Sequence, residues 1–445
     1  MWFLTRGPGQ QDKSLSAVAH FESGAAFFNS GRLREAKVQF EKALAIDPDY
    51  ASALYGLGRC HYEFGEIDLA LQLLRRSIET RPDYALAHYL LGQIYYVKGE
   101  FQKAIVSFED ALTHNDDMSQ ISNIHMALAV AYQKIGETNK AIKEYQAALL
   151  REPNQEDIHK GVGALYLEQG DFDQAIKHLE KANFKDASVQ QNLAWALWQA
   201  GERDRAISVL QNAIELWPHD GEMYGMLGYF LYEARNLEAA KEILRKAVDL
   251  SDEPGEALYF LGSTFRELGF LNKALETYQR LLKNSPSDAS LLTTIGYVYV
   301  EQGNLEQALV TWLRAVEVAP MDVATRSALA YGLYLQGDLE MALNEVDQAI
   351  AIDPEHDVAH QRKGYILKAL GDMHSAAREF ERAVDLGQTE VLLDLADLYR
   401  ESGNVSKARG YVEQFIEKAS REETDDLVNL AHYLEEAQAM LRELE

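Results

Sequence analysis

Glycine recurs along this chain with a nearly fixed step. Gly31, Gly65 and Gly99 stand 34 residues apart, and Gly136, Gly170 and Gly201 follow after 37, 34 and 31. Gly269, Gly303, Gly337 and Gly371 step by 34 again, and Gly403 follows after 32. Arg235 occupies the one beat that lacks glycine, which makes twelve beats. Five residues beyond every beat stands an alanine, from Ala36 to Ala408. Nine residues beyond, a large apolar side chain is usual, as at Phe40, Phe108, Tyr145, Tyr278, Trp312 and Phe380. Seventeen beyond, seven units carry proline: Pro48, Pro82, Pro153, Pro218, Pro286, Pro320 and Pro354. A period of this length marks a stacked repeat, because so short a unit cannot bury its own apolar face.

Each unit reads as two helices. The glycine ends the first, since it most cheaply adopts a left-handed C-terminal conformation. The second begins at once, often with an acid in its first turn, as in Gly99-Glu100 and Gly337-Asp338. The recurring alanine lets the two backbones approach closely. Proline then stops the second helix and starts the next unit. Arg235, on the glycine beat, predicts local strain or a different turn.

The pattern closely resembles the tetratricopeptide repeat, a helix–turn–helix family. Leu91-Gly92, Tyr95, Gly99, Ala104, Phe108 and Ala111 fall in the family's slots, as do Ile295-Gly296, Tyr299, Gly303, Ala308, Trp312, Ala315 and Pro320. The resemblance implies an all-α fold, a right-handed superhelical solenoid of tandem helix pairs. In register it gives an N-terminal extension (1–16) and units at 17–50, 51–84, 85–118, 122–155, 156–186, 187–220, 221–254, 255–288, 289–322, 323–356, 357–388 and 389–419. Residues 425–444, with Leu427, Leu430, Ala431, Leu434, Leu441 and Leu444 at helical spacing, read as a capping helix. Extra residues around 113–120 and missing ones around 183–188 predict altered stacking at two joints.

Composition narrows the function. The formal net charge of −27 opposes sequence-blind contact with nucleic acid. It also disfavours an anionic membrane surface. No apolar run is long enough for a transmembrane segment. The start, MWFLTRGPG, lacks a secretory pattern, so a cytoplasmic location is expected. Cys60 is the single cysteine, which argues against an internal disulfide, a thiolate zinc site or an iron–sulfur cluster. Phosphate-binding glycine loops and H-E-x-x-H are absent. His356 and His360 lie four apart, but His356 reads as loop and Asp357 as a helix N-cap rather than as a metal site. No catalytic residue, metal or cofactor is expected, and the chain reads as a non-enzyme.

The resemblance also implies a groove. In this family the first helices line a concave face, with positions 2, 5, 9, 12 and 13 of each unit turned toward it. Those slots hold Tyr55, Arg59 and Tyr62, then Tyr89 and Tyr96, then Trp195 and Trp198. Further on they hold Tyr229 and Tyr232, Tyr259 and Arg266, Tyr297, Tyr331 and Tyr334, and Tyr365. Such a ladder supplies binding anchors, though each ring is equally suited to pack on the next unit. Acids such as Glu63, Glu168, Glu233 and Glu256 outnumber the interleaved bases. The Lys/Asn pattern with which some members clamp carboxylates is absent: slot 9 has no Asn and slot 5 has Lys only at Lys160. The expected partner is therefore an extended peptide or a partner helix, basic or neutral, held by a scaffold or adaptor. Two further readings are an assembly factor peripherally associated with a membrane complex, in which Trp2, Phe3 and Leu4 dock, and a carbohydrate-binding superhelix.

Overall fold

A computed structural model describes residues 8–114, 121–419 and 427–443. Trp2, Phe3 and Leu4 lie outside the described residues. The chain forms two compact units, Met1–Pro218 and His219–Glu445. The described residues contain helices and turns but no strand.

The first unit comprises α1 (Pro8–Asn29), α2 (Leu33–Ile46), α3 (Ala51–Glu63), α4 (Ile67–Thr80), α5 (Ala85–Val97), α6 (Phe101–Thr113), α7 (Ile121–Lys134), α8 (Thr138–Leu149), α9 (Glu156–Gln169), α10 (Phe172–Leu179), α11 (Ala187–Gln199) and α12 (Arg203–Leu216). The second comprises α13 (Gly221–Glu233), α14 (Leu237–Leu250), α15 (Gly255–Glu267), α16 (Leu271–Asn284), α17 (Ala289–Glu301), α18 (Leu305–Val318), α19 (Val323–Gln336), α20 (Leu339–Ile352), α21 (Asp357–Ala369), α22 (Met373–Asp385), α23 (Val391–Glu401), α24 (Val405–Ala419) and α25 (Leu427–Glu443). Odd-numbered helices through α23 are the first of each pair, and even-numbered ones the second. Within each unit every helix packs on the next, and several successive first helices also touch, such as α1 and α3, α13 and α15, and α19 and α21.

The turn inside each pair is fixed by backbone chemistry. At Gly99, φ is 77°. Its N–H donates to the Tyr96 carbonyl at 2.9 Å, and the Glu100 N–H donates to the Tyr95 carbonyl at 2.9 Å. These bonds satisfy the carbonyls orphaned at the helix end. Arg235 makes the same turn without glycine. Its φ is 59°, its N–H donates to Tyr232 O and the Asn236 N–H donates to Leu231 O, both at 2.9 Å. The turn is therefore kept and the strain accepted, while the guanidinium pairs with Glu267.

Close approach explains the alanines. All twelve, from Ala36 to Ala408, are completely buried. The aromatic residue nine beyond the turn lies over glycines of the first helices. A Cβ on Gly24 or Gly56 would come within 2.7 Å of the Phe40 ring, so that ring occupies a slot floored by bare backbone on both sides. Trp312 lies between Gly296 and Gly332 in the same way.

Both register offsets are absorbed without a gap in the stack: α6 packs on α7 and α10 on α11. The missing residues come out of α10, which has only 8 residues against 14 in α12. Histidine stitches some units together. His88 Nε2–H donates to Pro82 O at 2.8 Å, His159 to Pro153 O at 2.9 Å and His360 to Pro354 O at 3.0 Å. Asp357, expected as the N-cap of α21, is not the capping residue. The N-cap of α21 is His356, whose Nδ1 accepts from the Ala359 N–H at 3.1 Å; Asp357 is the first helical residue. A histidine nitrogen reaches that N–H as well as a carboxylate does. In α25, Ala437 is buried and Leu434, Met440 and Leu441 cover the last core cluster. Leu444 and the side chains of Leu427, Leu430 and Ala431 lie outside the described residues.

Candidate functional site: the first-helix face

The fifteen residues expected in the groove all lie on first helices. Fourteen are half-buried, and Tyr259 is 39% exposed. Their surroundings differ between the two units.

In the first unit, α1, α3 and α5 enclose a cavity of about 520 Å³. Its walls are aromatic: Phe21 and Phe28 from α1, Tyr55 from α3, Tyr89 from α5, and Tyr84 just ahead of α5. Arg59 projects into it, with Asn29 and Gln93 as the neutral polar groups. The Arg59 guanidinium lies 4.0 Å from the Phe28 ring centroid and 5.7 Å from that of Tyr55. That is close enough for cation–π attraction. Tyr55 meets Tyr84 edge-on at 5.3 Å, and Tyr89 meets Phe108 at 5.7 Å. Burial pushes the Tyr55 hydroxyl up to about 12, against the opposing pull of Arg59. Burial also raises Tyr84 and Tyr89. These hydroxyls stay protonated and serve as hydrogen-bond groups. Tyr62 and Tyr96 pack partly against the same core, and Tyr96 leans on Phe101 at 5.4 Å. Trp195 and Trp198 are half-buried on α11, with the Arg203 guanidinium 5.4 Å from the Trp198 ring.

In the second unit the rings are tied into inter-repeat networks. Tyr229 and Tyr232 flank Phe260 at 4.8 and 5.7 Å, and Tyr259 meets Tyr278 at 6.0 Å. Tyr232 donates to Glu267 at 2.6 Å; burial first, then that carboxylate, raise its pKa. Arg266 is held by Glu301. Tyr297 and Tyr331 stand against the two sides of Trp312 at 5.2 and 6.4 Å. Tyr334 approaches Tyr365 at 6.5 Å, and Tyr365 donates to Asp394 at 2.7 Å. Burial raises the Asp394 carboxyl to about 6, although the Tyr365 hydrogen bond opposes the shift.

Models of the tetratricopeptide repeat match residues 27–94 and 166–211, residues 85–117, and residues 126–188, 192–253, 231–289, 259–324, 293–357 and 362–423. The chain belongs to the tetratricopeptide repeat family. Membership supports a protein-interaction scaffold. An uncharacterized protein of Haemophilus influenzae is 28% identical over 108 residues, 23% of this chain. The chain spans 59% of that relative's length. Among solved structures, yeast Tom70 is similar with TM-score 0.46 and 17% identity, covering 96% of each chain. The Cut9-Hcn1 hetero-tetramer of the APC/C gives 0.44 and 13%, covering 96% of this chain and 89% of that one. Pseudomonas aeruginosa pilF gives 0.41 and 19%, covering 46% and 94%.

Within this tetratricopeptide array, many charges on the first-helix face are already engaged. Lys160 pairs with Asp186 at 2.6 Å, and Lys368 with Asp397 at 3.2 Å and Glu401 at 3.1 Å. Arg59 has no ion pair among the described residues, and neither do Glu63, Glu168, Glu233 and Glu256. Three participants escaped the sequence reading. Tyr84 is the last residue of its unit, outside the groove slots, yet Tyr50 repeats it 34 residues earlier and would have flagged it. Arg362 donates to Ser327 Oγ at 2.9 Å and to the Tyr297 hydroxyl at 2.6 Å, while stacking on Tyr331 at 5.3 Å. It thus links α17, α19 and α21 in a way no local pattern signals. Asp394 is half-buried by its neighbours, which sequence does not show.

No helix among the described residues is long and apolar enough to cross a membrane. No group of three or more His, Cys, Asp or Glu among them is placed to hold a metal ion. Cys60 is buried, and burial pushes its thiol up to about 11, which makes it a poor nucleophile.

Proposed function

We propose that this chain is a non-enzymatic scaffold or adaptor that holds an extended peptide, or one helix of a protein partner, on its first-helix face. The observation that carries the reading is the aromatic cavity across α1, α3 and α5, which a side chain or a short turn of ligand would fill. Rings held on two sides by their neighbours lose little freedom on binding, so they act as preorganised anchors. The unpaired acids, Glu63 and Glu168 in the first unit and Glu233 and Glu256 in the second, favour a basic or neutral partner over an acidic one on the first helices of each unit. Contacts of modest strength would be spread over several repeats, with Trp195 and Trp198 as further anchors.

The test is selection of ligands for the full chain from a displayed random-peptide library. Selected peptides should bind with micromolar or tighter affinity, and Arg59→Ala should weaken them about tenfold with little change in melting temperature. Glycan binding with no peptide selected would sink this reading. So would peptides insensitive to Arg59→Ala and to the double substitution Trp195→Ala/Trp198→Ala.

A further inference from the structure

On the second-helix side, a groove runs between α14 and α16 within the second unit. It encloses about 580 Å³ over α15, with Val248, Leu258, Leu261 and Phe265 at its base. Four cations line it: Arg245 from α14, and Lys273, Arg280 and Lys283 from α16. Two acids, Asp249 and Glu276, share the lining.

Arg245, Lys273, Arg280 and Lys283 are all exposed, and none of them is ion-paired among the described residues. Glu276 stands three residues from Lys273 and four from Arg280, the spacing at which helix ion pairs form. Neither pair is made. Bases elsewhere in this unit commonly find acids: Lys241 meets Glu238, Arg326 meets Glu345, and Lys363 meets Asp347 and Glu379. In a chain of net charge −27, an unpaired group of cations along one groove is a local reversal of sign.

We propose that this groove docks a short acidic segment of a protein partner. Lys273, Arg280 and Lys283 share one face of α16 and span about 15 Å at 1.5 Å per residue. An extended segment of roughly five residues covers that length. Its carboxylates meet the three cations and Arg245 from the opposite rim. The groove's limits argue against a long polyanion. Beyond α16 the same side of the unit carries Glu306 and Glu317 on α18 and Glu340 on α20, all exposed and none ion-paired among the described residues. A nucleic acid running past the groove would meet these charges and be repelled. The site is independent of the first-helix face, so one chain can hold two segments of opposite charge preference.

The experiment measures fluorescence anisotropy of a labelled oligoglutamate peptide with the full chain at low and high salt. Binding should be salt-sensitive and should weaken about tenfold or more in the double variant Arg280→Glu/Lys283→Glu. Glu276→Gln, which removes the competing acid, should tighten it by a few-fold. Arg59→Ala on the other face should leave it unchanged. All the substituted groove side chains are exposed, so melting followed by circular dichroism should match the parent; Arg245→Glu serves as a second variant if it does not. Absence of oligoglutamate binding, or binding indifferent to these substitutions, overturns the proposal. Tighter binding of a random-sequence DNA duplex, lost in the same double variant, overturns it in favour of nucleic acid.

Discussion

Trp312→Ala tests how the stack is held together. Trp312 is completely buried on α18. Its Nε1–H donates to Thr293 O at 3.0 Å, and its ring meets Tyr297 and Tyr331 edge-on. The slot is floored by Gly296 and Gly332, which have no side chains to fall inward when the ring is removed. Large-to-small changes of this kind cost about 3–5 kcal/mol, more when the site cannot collapse. The lost hydrogen bond and ring pairs add to this, so the upper end, ~5 kcal/mol, is expected. A repeat array need not unfold in one step, which makes a single midpoint a poor readout. Native-state hydrogen exchange resolves the effect by helix. Opening free energies in α17–α20 should fall by ~4–5 kcal/mol, while those in α1–α6 stay unchanged. A fall below ~1 kcal/mol, or an equal fall in α1–α6, would refute the account of aromatic keys on glycine floors.

Two further outcomes follow from strain and charge. Arg235→Gly and Arg235→Ala both remove the Glu267 ion pair, but only glycine relieves the left-handed backbone. Unfolding of the second unit should show the glycine variant more stable by ~1 kcal/mol; equal stabilities would mean the turn is unstrained. The Asp394 carboxyl lies above its ordinary 3.8, at about 6, so the folded form holds the extra proton. Its contribution to stability is full below about pH 4 and is lost as pH rises through 6. Asp394→Asn, which keeps an acceptor for Tyr365, should flatten the decline in the unfolding stability of the second unit between pH 4 and 6.5; an unaltered decline would show that Asp394 does not cause it.

Much of the fold was legible because the repeat writes each structural need at a fixed offset. The turn needs a left-handed residue, hence glycine; the helix crossing needs a small one, hence the twelve buried alanines. Even Arg235 was readable as strain, though not its choice to keep the turn rather than change it. Less legible was whatever depends on neighbours from other repeats. A groove-slot tyrosine looks the same in sequence whether it lines a cavity, as Tyr55 and Tyr89 do, or buttresses Trp312, as Tyr297 does. The sequence reading passed over His88 and His159 and weighed His360 only against a metal site, yet each binds a proline carbonyl six residues back. The basic groove arises from α14 and α16 lying side by side, which charge counts along the chain conceal.

The central claim is that partners are held on the first-helix face. Its most direct test is hydrogen-exchange footprinting of the full chain with a saturating library-selected peptide. Exchange should slow in the turns and exposed ends of first helices, centred on α1, α3 and α5, with α2, α4 and α6 unchanged. Protection confined to the second helices would contradict it.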